Sequence, residues 1–207
     1  MSSNGFARWK TVTALGLGVL FVGGILYAAT FLGERPFVPK QFSDARTGAV
    51  QTAEGIVNMA NESIVTLAKI SELDKSGKYD RALDLVVQEV NRNNELRDRA
   101  EVLSQGLGLM TQALSQVKPQ GAAVVGIQAI GKEYQIAQRL INYYNSTYEL
   151  LDVLRGRYDG VSSDPSSASA QTKINDLITK MNADASAVNV LNEEYKGLMS
   201  QFDSLTK

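Results

Sequence analysis

The sequence predicts an all-α protein in which an N-terminal single transmembrane helix precedes a long antiparallel four-helix bundle. Three observations predict it. Thr11 to Leu32 is an uncharged run (TVTALGLGVLFVGGILYAATFL), apolar residues recur by threes and fours through most of the remainder, and turn residues are confined to three places. No stretch alternates apolar and polar residues with the period of two that marks a β-strand. The expected parts are a tail over 1–10, an anchor over 11–32, a proline-containing linker over 33–41 and the bundle over 42–207.

A helix rises about 1.5 Å per residue, so about 20 apolar residues cross a hydrocarbon core of about 30 Å. Thr11–Leu32 is long enough, and it exceeds the apolar region of a cleaved secretory signal, about 7–15 residues. Ala28-Ala29 keeps cleavage open as an alternative. Trp9 precedes the run, and Tyr27 and Phe31 lie near its far end, where aromatic rings favour the headgroup level. Ala14 with Gly18, and Gly24 with Ala28, are spaced for close helix approach. Pro36 and Pro39 then stop the helix. Arg8 and Lys10 on one side nearly balance Arg35, Lys40 and Arg46 on the other. The short tail favours a cytoplasmic N-terminus with the bundle extracytoplasmic, and an inward-facing adaptor is the alternative.

Beyond the linker, the turns fall at Asp74 to Lys78, Pro119 to Gly121 and Gly160 to Ser169. The four segments between them, each roughly 50–58 Å long as helix, have apolar seams. The first carries Ala45, Ala49, Ala53, Ile56, Ala60, Ile64, Leu67 and Ile70. The second carries Leu96, Ala100, Leu103, Leu107, Met110, Leu114 and Val117 as a heptad stripe, continued upstream by Leu83, Val86 and Val90 after a phase slip at Asn93. The third carries Ile127, Ile130, Tyr134, Ala137, Ile141, Tyr144, Tyr148, Leu151 and Tyr158. The fourth carries Ile174, Leu177, Met181, Val188, Leu191, Tyr195, Leu198, Phe202 and Leu205, with Ala185 expected inward and Asp184 in water. Ser169 is the expected cap of the last helix. Similar lengths and short connections imply up-down-up-down neighbours, with the Pro119 turn and the end of the fourth helix facing the bilayer.

The chemistry available is narrow. The chain has no His and no Cys, so acid–base work falls to Asp, Glu, Lys or Tyr. No Walker loop, nucleophile elbow, zinc spacing or calcium loop occurs, and Glu193-Glu194 lacks the Glu-x-x-His pattern of di-iron bundles. The expectation is no catalytic residue, no cofactor and no metal. Residues 1–40 hold four basic and one acidic side chain, leaving 17 basic and 21 acidic in the remainder. Without a basic stripe, nucleic acid is not an expected partner.

Two places invite a site. Between Glu101 and Lys132 the one ionisable side chain is Lys118, in a stretch rich in glycine and alanine. Folded back at Pro119, this hairpin puts Gly108 near Gly131 and Ala113 near Gly126. Because exposed helix faces ordinarily carry charge, it is a candidate assembly surface, comprising Leu103, Leu107, Gly108, Met110, Gly126, Ile127 and Gly131. The alternative is a small-ligand pocket lined by Tyr134, Tyr144 and Tyr148.

Ser76-Gly77-Lys78-Tyr79-Asp80-Arg81-Ala82-Leu83 resembles the Gly-x-Tyr-x-x-Ala-Leu junction of a tetratricopeptide repeat, where glycine permits the turn and tyrosine and alanine pack the helix pair. It covers part of one repeat, with no second copy about 34 residues away. A span followed by four long helices is similar to the ligand-binding bundle of bacterial chemoreceptors, which implies sensing as the alternative function. The leading expectation is a non-enzymatic, single-pass, membrane-anchored scaffold or accessory subunit. Its expected partners are the lipid bilayer and other protein subunits or further copies of itself.

Overall fold

The computed structural model describes residues 35–159 and 168–207, and among them the protein is all-helical. Helix α1 spans Lys40–Lys75, α2 Tyr79–Ala113, α3 Gln120–Tyr158 and α4 Ala168–Leu205, with a 3-10 turn at Leu114–Gln116 closing α2. The expected anchor at 11–32 and most of the serine-rich connector lie outside the described residues. No described helix is long and apolar enough to cross a membrane.

Each helix end has a local cause. Pro39 has a fixed φ, and its carbonyl accepts the Phe42 and Ser43 N–H groups at 3.0 and 3.3 Å, so α1 starts there. α1 stops in a Schellman arrangement: Lys78 N–H donates to the Leu73 carbonyl at 2.9 Å and Gly77 N–H to Asp74 at 3.1 Å. Gly77 sits at φ +69°, a left-handed conformation that glycine adopts without a Cβ penalty. α3 starts after Pro119, whose carbonyl accepts the Ala122 N–H at 2.9 Å. α4 already contains Ser169 in its first turn, so that residue does not precede the helix as a cap.

The four helices pack as a bundle whose described residues fall into two compact units, each helix contributing to both. The first unit holds residues 57–97, 140–159 and 168–186. In it Arg92 pairs with Glu62 across α1 and α2 at 3.6 Å and donates to Thr66 at 2.9 Å. Asn93 Nδ2 donates to the Tyr144 carbonyl of α3 at 3.0 Å. Beside the α1–α2 turn, Tyr79 stacks on Tyr158 with centroids 5.8 Å apart, and Arg157 pairs with Asp74 at 3.2 Å.

The second unit holds residues 35–56, 98–139 and 187–207. Phe42 of α1 stacks on Phe202 of α4 at 5.1 Å, and Arg46 grips Asp203 through two bonds of 2.7 and 3.0 Å. Lys132 of α3 pairs with Glu194 of α4 at 2.6 Å. The Tyr134 hydroxyl donates to the Ser104 carbonyl at 3.4 Å while Gly126 meets Leu114, so the two segments run antiparallel. Gly126 is the tightest point, since a Cβ there would lie 2.6 Å from Leu114 Cδ2 and 3.2 Å from Phe202 Cε2. Gly108 approaches the Tyr134 hydroxyl, while a Cβ on Gly131 would meet nothing within 4 Å.

The seams hold more polar residues than an apolar stripe allows. α2 and the turn that closes it bury Ala82, Val86, Glu89, Asn93, Leu96, Ala100, Leu103, Leu107, Met110, Leu114 and Val117, an unbroken alternation of four and three. The expected phase slip at Asn93 is therefore absent: Glu89 and Asn93 occupy the heptad positions, and Leu83 and Val90 flank them half-buried. α3 is turned relative to expectation. It buries Ile130, Glu133, Ala137, Leu140, Tyr144, Thr147, Leu151 and Leu154, while Ile127, Tyr134 and Tyr148 are exposed. In α4 the seam shifts by one residue between Met181 and Val188, which draws Asp184 and Ala185 inward together and corrects the expectation of Asp184 in water. Asn192 and Met199 take the inward places expected of Leu191 and Leu198.

Candidate functional site

The low-charge hairpin is a structural surface. Within the second unit, α2 and α3 turn their cores inward along Leu103, Leu107, Met110, Ala122, Ala129 and Ile130. Their opposite faces carry Val102 (54% exposed), Leu109 (47%), Val124 (51%) and Ile127 (58%), separated by the exposed amides Gln105, Gln112, Gln116 and Gln128. Solvated helix faces normally place Lys, Arg, Asp and Glu at such positions. Here the one charge is Lys118, in the turn.

That turn is fastened to the start of the described chain. Phe37 N–H donates to the Lys118 carbonyl at 3.1 Å and Lys118 N–H to the Phe37 carbonyl at 2.9 Å, an isolated antiparallel pairing. Phe37 is itself more than half exposed. The uncharged face therefore begins beside the point at which the chain arrives from residue 34.

The predicted surface residues divide. Leu103, Leu107 and Met110 are fully buried core, and Gly126 is sealed by Leu114 and Phe202, so these four are corrected from surface to interior. Ile127 is outward, Gly108 is half-exposed beside the Tyr134 hydroxyl, and Gly131 is half-exposed in open space. Val102, Leu109 and Val124 were missed, although their signal was present: each is an apolar residue off the heptad stripe inside the charge-poor stretch. The three candidate pocket tyrosines do not share an environment. Tyr144 is buried, whereas Tyr134 and Tyr148 are exposed.

A second set of functional groups lies in the cores. In the second unit Glu133 is buried, its Oε2 has no hydrogen-bond partner, and burial raises its carboxyl from 4.5 to about 7. Tyr195 of α4 adjoins it, raised well above the ordinary phenol range by burial and then by Glu133. In the first unit burial raises Glu89 despite the pull of Ser63 and Arg92, with which Glu89 makes a very short ion pair. Tyr143 is raised to about 12 by burial and by Glu89. Burial also raises Asp74 against the opposing Arg157. Sequence reasoning missed Glu133 because it assigned the neighbouring Tyr134 to the seam.

Among the described residues no three His, Cys, Asp or Glu side chains form a group able to hold a metal ion. The chain matches no family model, no curated protein and no solved structure.

Proposed function

We propose that this protein is a membrane-anchored, non-catalytic scaffold or accessory subunit, whose uncharged α2–α3 face is the docking surface for another protein. The observation that carries the reading is Val124 and Ile127 standing exposed on α3, in a stretch whose one ionisable side chain, Lys118, lies in the turn. Thr11–Leu32 supplies the anchor in this reading, and the Phe37–Lys118 pairing supports a docking face close to the bilayer. Nucleic acid has no basic stripe to engage, and no residue set favours a reaction.

The test has two arms. The full chain is expected to stay with membranes through a carbonate wash and, after gentle detergent extraction, to run at a mass above that of one chain in its micelle. Replacing Val124 and Ile127 by Lys should return it to the single-chain mass with helicity intact. Release by carbonate defeats the anchor, and an unchanged mass in the double variant defeats the docking face.

A second reading, small-ligand sensing, is favoured by the polar side chains packed in the first unit, where Glu89, Asn93, Tyr143 and Tyr144 are buried together with Thr147. A ligand stabilising the protein in a thermal-shift screen, with the effect lost in Tyr144→Phe, supports this reading.

A further inference from the structure

We propose that Glu133 is a proton-controlled latch on the second unit: protonated, it leaves α3 seated in that core, and ionised, it releases α3 there while the first unit stays closed. The latch needs neither the anchor nor the docking face, so each can fail without the other.

Placement is the first argument. Glu133 is 2% exposed, and its Oε2 has no hydrogen-bond partner. A carboxylate without a cation in an apolar interior is either neutralised by a proton or carried out to water. The cations of the surrounding helices are engaged elsewhere. Arg46 of α1 grips Asp203 of α4. Arg99 of α2 lies over Gly55 of α1, its Nη1 2.9 Å from where a Cβ would stand, and α2 turns Ala100, Leu103 and Leu107 inward. On α3 itself Lys132 pairs with Glu194 and Arg139 is exposed. On α4 Lys196 pairs with Glu193 at 2.8 Å, and the titratable group that adjoins Glu133 is Tyr195, a phenol that burial keeps neutral.

The contrast with the first unit is the second argument. Glu89 and Asp74 are buried too, yet Ser63 and Arg92 offset the burial of one and Arg157 that of the other. At Glu133 burial acts unopposed and raises the carboxyl to about 7. Rising pH therefore leaves compensated charges in the first unit and an uncompensated one in the second. Fastening is the third argument. α3 is held in the second unit by the packing of Gly126 on Leu114 and Phe202, by the Tyr134 hydrogen bond of 3.4 Å and by the Lys132–Glu194 pair. That pair is a third to a half exposed, and solvent screens it. Few strong contacts at the level of Glu133 oppose its release. With the carboxyl at 4.5 when open and about 7 when closed, opening becomes about tenfold more favourable from about pH 6 to about pH 8.

The chain has no cysteine, so one introduced thiol reports on one place. Ala129→Cys sets it on the buried face of α3 in the second unit, and Ala60→Cys on the buried face of α1 in the first. In the full-length protein the rate of labelling by iodoacetamide is divided by that of the urea-unfolded chain at the same pH, which removes the titration of the thiol itself. For Ala129→Cys the protection is expected to fall about tenfold from about pH 6 to about pH 8, and to stay constant once Glu133→Gln is added. At position 60 the addition of Glu133→Gln should change nothing. No loss of protection at position 129, the same loss with and without Glu133→Gln, or an equal effect of Glu133→Gln at position 60 each overturns the proposal. Carbon-13 glutamate labelling of the protein without a thiol covers the case of a cysteine variant that does not fold. The carboxyl resonance that disappears in Glu133→Gln should titrate near neutrality, and a midpoint near 4.5 in the folded protein also overturns the proposal.

Discussion

Glu133→Gln should stabilise this protein at neutral and alkaline pH while leaving it almost unchanged in acid. Glu133 sits in the core of the second unit with one carboxyl oxygen unpartnered, and burial raises it from 4.5 to about 7. Below 4.5 the carboxyl is neutral in folded and unfolded chains, and its contribution is fully present. As pH rises from 4.5 towards 7 the unfolded chain releases the proton and the folded one retains it, so stability falls. Above about 7 the loss is complete, and the interval corresponds to about 3 kcal/mol. Glutamine has nearly the same shape without the charge. Glu89 and Asp74 are also raised by burial, and they tilt the parent and the variant alike, so the difference between the two isolates residue 133. The assay is urea unfolding of residues 35–207, followed by circular dichroism from about pH 4 to about pH 8. The variant should match the parent within about 0.5 kcal/mol at the acid end and exceed it by about 3 kcal/mol at the other. A gap that does not change with pH, or a variant less stable at pH 8, refutes the reasoning.

Four further outcomes follow from particular positions. Gly126→Ala should destabilise by about 1–3 kcal/mol, because its Cβ collides with Leu114 and Phe202. Gly131→Ala, the same change five residues on in open space, should stabilise by about 0.5–1 kcal/mol through helix propensity, and thermal melts of the two read the opposite signs. Gly77→Ala forces a side chain into the left-handed region and should cost about 1–2 kcal/mol in denaturant midpoint. Asn93→Ala removes the buried bond to the Tyr144 carbonyl and some packing, and should cost about 1–3 kcal/mol by the same measurement.

The sequence made the helices and their turns legible because Pro39, Gly77 and Pro119 act through backbone geometry that needs no distant partner. The lower part of α2 was equally plain, since every inward place from Leu96 to Val117 is apolar. α3 was misread for a physical reason. An apolar count rejects glutamate from a core, so Tyr134 stood in for Glu133 and the face turned outward with Ile127, Tyr134 and Tyr148. The same rule invented a slip at Asn93 and sent Asp184 into water. Burial of a polar side chain depends on neighbours from other helices, and one helix's spacing carries no record of them. The hairpin surface was half legible: its lack of charge is written in the chain, whereas which of its apolar residues face outward depends on the phase of the seam.

The paired amides of Phe37 and Lys118 also decide how the protein bears load. Tension applied through Arg35 is passed sideways to the joint between α2 and α3 before it can peel α1 from its neighbours one turn at a time. With that fastening intact the helices resist in shear, along their lengths; once it opens, they come apart like a zip. A pull on the chain at Arg35 thus meets a mechanical fuse two residues further on.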